Sequence, residues 1–164
     1  MPFDAFLKID SIPGESTDDK HKDWIEILSY SSGVSQPASA TRSTGGAASG
    51  GRVNVQDFSI VHAIDKASPK LFLSCCKGEH LKEVTVQLCK ASGDKLKYME
   101  YKMTDVLVSS VRPGGDSKGG GNLPPEEVAF NYGKIEITYT QTDQTGKAKG
   151  DVKANWDLVA NKGS

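Results

Sequence analysis

No window of this chain approaches 18 consecutive apolar residues, so a membrane-spanning helix is not expected. The N-terminus alternates charged and apolar residues from Met1 to Asp10 and has neither a basic leader nor an apolar core, so no cleavable secretory signal is expected. Charge of one sign is missing too: 20 Lys and Arg stand against 21 Asp and Glu. A nucleic-acid binder normally carries a basic excess to neutralise phosphates, and that class is set aside. Near-neutrality also removes the long-range repulsion that keeps proteins apart, which permits self-association. Cysteine is scarce, at three residues, and odd in number. Cys75 and Cys76 are adjacent, a placement that seldom satisfies disulfide geometry, so the chain reads as one made in a reducing cytosol.

What remains is an ordinary composition for a globular domain, 37% hydrophobic over 164 residues, which predicts one domain across 1–164. Most of it reads as strands. Phe3, Ala5, Leu7 and Ile9 alternate with polar residues, and Phe6 on the opposite parity predicts a strand covered on both sides. Trp24 to Tyr30 is β-prone and predicts a long second strand running to about Val34. Pro13-Gly14 is a turn signal, and the polar run Glu15 to Asp19 reads as a solvated turn. Later strands are predicted from Val84, Val86 and Leu88; Met99, Tyr101 and Met103; Val128, Phe130 and Tyr132; Ile135, Ile137 and Tyr139; and Val152, Ala154 and Trp156. The change of parity at Gly133 predicts a bulge or bend there. Ser68 as N-cap, Pro69 in the first turn and Gly78 as C-cap predict one helix at about 68–77. Its apolar residues, Leu71, Phe72, Leu73, Cys75 and Cys76, cover most of the circumference and predict a buried helix. About seven strands and one helix, without βαβ alternation, define a mainly β protein: an antiparallel sandwich or small barrel.

Two segments depart from this pattern. Residues 38–51 are Ser, Thr, Gly and Ala with Arg42 as the only charge, a composition that cannot bury apolar surface and predicts a mobile extended loop. A second, Gly-rich loop is predicted at about 112–125. Neither is a phosphate loop: GGAASGG at 45–51 is followed by Arg52-Val53 and a strand, not by Gly-Lys and a helix. Cys75, Cys76 and His80 lack a second ligand pair, so no metal is expected. No G-x-S-x-G elbow singles out a serine, and no cofactor motif is present. A structural or binding module leads, ahead of a small barrel hydrolase or ligand carrier.

Particular strings narrow this. Gly14-Glu15-Ser16, Asp18, His21 and Trp24-Ile25-Glu26 come first. Ser68-Pro69-Lys70-Leu71 with Cys75 and Gly78 follows, then Val106-Leu107-Val108-Ser109-Ser110-Val111, and finally Gly150 and Trp156-Asp157-Leu158. In this order, from Phe3 to about Asn161, the chain resembles the haemolysin-coregulated protein (Hcp) family, the tube protein of the bacterial type VI secretion system. The resemblance implies a compact antiparallel β-barrel of two sheets with one flanking helix. It further implies a homohexameric ring with a central channel, rings stacked into a tube, and no enzymatic activity. The implied partners are a contractile sheath, a trimeric spike and small effector proteins, with no nucleic acid and no membrane insertion. The protein would wait in the bacterial cytoplasm and leave through the secretion machine, which explains the missing signal.

Site residues follow from the same resemblance. The family's channel-facing serine position matches Ser31, and Ser29 shares its parity. The extended loop implies ring-stacking contacts from Ser39, Thr41, Arg42, Ser43, Thr44, Gly45 and Gly46. Two alternatives share the barrel logic: a viral tail-tube protein, and an Hcp variant with its own effector activity. The second normally carries an extra C-terminal domain, and the stop at Ser164 weighs against it.

Overall fold

A computed structural model describes residues 3–37, 51–91, 93, 95–117 and 123–164. The predicted stacking residues Ser39 to Gly46 lie outside the described residues. Among these residues are eleven strands and one helix: β1 (Phe3–Lys8), β2 (Ile25–Ile27), β3 (Ser29–Ser31), β4 (Val34–Ser35), β5 (Asn54–Val55), β6 (Phe58–Ala63), α1 (Ser68–Lys77), β7 (His80–Lys90), β8 (Lys97–Pro113), β9 (Pro125–Thr142), β10 (Ala148–Asp157) and β11 (Lys162–Gly163). All pairings are antiparallel, and the main sheet runs β11-β10-β9-β8-β7-β1-β2. The first part of β9 also pairs with β6, and β6 with β3.

The architecture is the expected antiparallel one, with two corrections. The second strand is not continuous: Leu28 separates β2 from β3, and β4 pairs only with β5 in a small second sheet. Buried parity changes across this break, from Ile25 and Ile27 to Tyr30, which a single regular strand cannot do. The sheets therefore do not close into a regular barrel, although Leu28 N–H still donates to the Val61 carbonyl at 2.7 Å.

Gly133 does mark a bend, by a different device. Buried residues switch parity together on three strands: from Leu81 to Val84 on β7, from Val106 to Met103 on β8, and from Tyr132 to Ile135 on β9. No extra residue is inserted at this line. Asp105, opposite Gly133, takes a left-handed φ of 55°, and a Cβ at Gly133 would lie 3.2 Å from its carboxylate. The register shift sits instead between Val108 and Ser110.

The core gathers Leu7, Ile25, Phe58, Ile60, Val84, Val86, Met103, Val106, Val128 and Phe130, all inaccessible to solvent. Phe6 faces the other side of β1 and is covered as predicted. His21 stacks on it at 4.1 Å and Trp24 meets His21 edge-on at 4.7 Å. The segment from 13 to 24 is thus packed down at the buried His21, and the reading of Glu15 to Asp19 as a solvated turn fails at the buried Ser16. Gly14 makes this possible, since a Cβ there would stand 2.5 Å from the Trp24 carbonyl oxygen.

The helix occupies the predicted residues, but only one side is buried. Leu71 and Ser74 face inward while Phe72 and Leu73 are 61% and 49% exposed. Cys76 is exposed and Cys75 half-buried, so the expectation that both helix cysteines are buried fails, whereas Cys89 on β7 is buried. One short helix lying on one side of a sheet can hide only one stripe. The N-cap is Ala67, with no side-chain cap; Ser68 Oγ instead accepts from the Asp65 amide at 3.1 Å. Gly78 ends the helix at φ 60°, as predicted.

Candidate functional site

Two surfaces stand out, and neither is a reaction centre. The first is the outer face around β3. Tyr30 turns inward onto Phe58, at 5.9 Å and nearly parallel, so Ser29 and Ser31 both point out and are exposed. The structure brings the two predicted serines onto one face and adds neighbours that sequence parity alone could not supply. Ser31 pairs with Ser59, Ser59 with Ala129, and Ala129 with Ser110. This row across four strands is entirely small and uncharged. The next row, Ser29, Val61, Glu127 and Arg112, puts opposite charges side by side. Beyond the small row Asp57 accepts from Ser109 Oγ at 2.6 Å and from Asn131 Nδ2 at 3.0 Å. The central row carries only small side chains and Asp57 is satisfied by its two donors, which suits weak, tolerant contact.

The second surface is apolar. Three rows cross β7, β8, β9 and β10 in register: Val84, Met103, Ile135 and Trp156; Val86, Tyr101, Ile137 and Ala154; Leu88, Met99, Tyr139 and Val152. Burial fades along each row. Val84 and Val86 are fully buried at β7, whereas Tyr139 and Val152 are 45% and 67% exposed toward β10. Among the described residues, Tyr30 of β3 and Phe58 of β6 pack on Tyr101 and cover part of this sheet face. At the uncovered end, Val34, Val53, Val55, Ile137 and Trp156 line a groove of about 430 Å³. Alternation identifies Val152, Ala154 and Trp156 as one apolar face but does not say what lies against it.

One arrangement resembles a catalytic order and is not one. His21 Nδ1 lies 2.7 Å from Asp18 Oδ2, and His21 Nε2 lies 3.9 Å from Cys89 Sγ. Nε2 is already engaged by Gln87 Oε1 at 2.8 Å, and the other end of that amide donates to Glu100 at 2.6 Å. Burial, then the nearby Asp18 and Asp4 carboxylates, push the Cys89 thiol up, away from the reactive thiolate. The hydrogen bond from His21 holds the Asp18 carboxyl below its usual range. This cluster ties the 13–24 segment to the sheet.

The described residues thus define a mainly antiparallel β protein with one helix and a partly exposed apolar sheet face. Residues 6–139 match the family described as "Type VI secretion system effector, Hcp", and the chain belongs to that family. It is 36% identical over 163 residues to protein hcp1 of Pseudomonas aeruginosa, with 98% of each chain covered. A solved structure described as a type six secretion system protein superposes with a TM-score of 0.93 at 34% identity, covering 99% of this chain and all of the other. Hcp1 from Salmonella typhimurium does so with a TM-score of 0.81 at 36% identity, with both chains covered in full.

Proposed function

We propose that this chain is a structural subunit of the type VI inner tube, not an enzyme. Six copies, each a single domain over 1–164, close a ring around a channel; rings stack, and small effector proteins travel in the channel. A contractile sheath and a trimeric spike are its machine partners. It is made in the cytoplasm and exported through the type VI machine. The observation that carries this reading is the apolar face ending at Tyr139 and Val152, a contiguous exposed patch of the kind that marks a protein–protein contact. A closed ring needs two different faces of each copy to meet, and nearly neutral copies approach without repulsion. Electron microscopy of the purified protein tests it: six-fold rings are expected, and monomers alone at high concentration would overturn the proposal.

In this reading the Ser29 and Ser31 face lines the channel, and the segment containing Ser39, Thr41, Arg42, Ser43, Thr44, Gly45 and Gly46 touches the next ring. Ser31→Gln places a long side chain on the smooth row beside Ser59. It should lower co-purification of a cognate effector several-fold, since tolerant contact depends on clearance, while six-fold rings persist. Unchanged retention in intact rings would remove Ser31 from the channel contact.

A further inference from the structure

We propose that His62 is a charged latch: its imidazolium, held between Glu126 and Asp65, fixes the entry to α1 against the sheet, and loss of the proton releases that hold. His62 lies on the core side of β6 with no solvent exposure, opposite the buried Glu126 of β9. Its Nε2 is 2.9 Å from Glu126 Oε1. Its Nδ1 points toward Asp65 Oδ2 at 3.8 Å and has no hydrogen-bond partner at that distance.

Asp65 organises the chain where α1 begins. Its Oδ1 accepts from the Ala67 amide at 2.9 Å, and its backbone is tied in both directions to Ser68. The helix has no side-chain N-cap and no acidic residue in its first turn, so that end is served by Asp65 and, from the 13–24 segment, by the exposed Glu15, whose carboxylate accepts from the Lys66 amide at 3.3 Å. With Nε2–H given to Glu126, a neutral ring turns the Nδ1 lone pair toward a carboxylate, acceptor against acceptor. A proton on Nδ1 converts this into a charge-assisted contact, and a small inward movement of Asp65 completes it.

The charges acting on the ring from the elements around it are Glu126 on β9 and Asp65 on the β6–α1 connection. β8 sets Pro113 opposite Glu126, and α1 turns Leu71 and Ser74 inward. Burial by itself would lower the imidazole, but the two carboxylates outweigh it and hold His62 above its ordinary value. The sign follows: the latch is fully closed below the unfolded value and opens as pH rises through the raised one. α1 carries the exposed Phe72, Leu73 and Cys76, so this proton governs how firmly that patch is presented.

Nuclear magnetic resonance on the full chain tests the latch, with the His62 ring signal assigned by its absence in His62→Gln. The ring should titrate with a midpoint above about 6.5. Amide-exchange protection of α1, taken relative to β9 to remove the chemical effect of pH, should fall about tenfold between pH 6 and pH 9. In His62→Gln the ratio should stay low and flat. Asp65→Asn, which keeps the Glu126 bond, should lower the His62 midpoint and serves by itself if His62→Gln does not fold. A midpoint at or below about 6.5, or an unchanged midpoint in Asp65→Asn, would overturn the proposal. A His62→Gln profile that follows the natural one would do the same.

Discussion

Val152→Asp yields a folded chain that sediments as a monomer at concentrations where the natural protein assembles. Val152 is 67% exposed and stands opposite Tyr139 at the uncovered end of the apolar rows. In the isolated subunit a carboxylate there remains in water, so unfolding should shift by no more than about 0.5 kcal/mol. In an assembled ring the same carboxylate is buried against apolar surface with no partner, and each contact loses about 3–5 kcal/mol. That is roughly a hundredfold to several thousandfold per contact, and a closed ring needs all its contacts at once. Sedimentation velocity and thermal unfolding together check this. Val152→Thr, nearly the same size and uncharged, should keep most of the assembly. Rings of undiminished stability in Val152→Asp would show that the Tyr139–Val152 end is not the contact.

The largest effect on folding is expected at Phe58. It is fully buried, stacks on Tyr30, meets Tyr101 at 5.2 Å and pairs with Phe130 across β6 and β9. Phe58→Ala removes a large side chain from a place where strands on both sides are fixed by their ladders, so the cavity cannot collapse. A loss of about 3–5 kcal/mol follows, a large share of the roughly 5–15 kcal/mol that holds a domain folded. Phe72→Ala should change stability by about 0.5 kcal/mol or less, because that ring is 61% exposed. Urea unfolding of the two variants reads the contrast. Similar midpoints would mean that Phe58 is not the anchor its packing indicates.

Those two phenylalanines also mark how far the sequence could be read. The helix position was legible because Pro69 and Gly78 act locally on the backbone, and they occupy the places their conformations require. The helix surface was not legible, because five apolar residues in ten say only that apolar surface exists, while the single side packed on β8 decides which of it is hidden. The same gap separates Val84 from Val152. Both sit in alternating runs, and only strand order places one mid-sheet and the other near a free edge. At the serine face, period two predicted that Ser29 and Ser31 point together. Ser59, Ala129 and Ser110 joined them through pairings between residues far apart in the chain, which no local rule supplies. His21 and His62 were similarly silent: their partners Gln87 and Glu126 are 66 and 64 residues away.

By itself, the sequence determined the antiparallel β class, the helix at 68–77, the absence of charge bias and, through the order of its strings, the family. These rest on properties local to the chain: side-chain alternation, backbone restriction at proline and glycine, and composition. Tertiary structure alone decided that the sheet bends at Gly133 without an inserted residue, that β2 and β3 part at Leu28, and that an apolar face emerges exposed at β10. Each depends on register, and register is settled by which side chains from distant strands fill the same core.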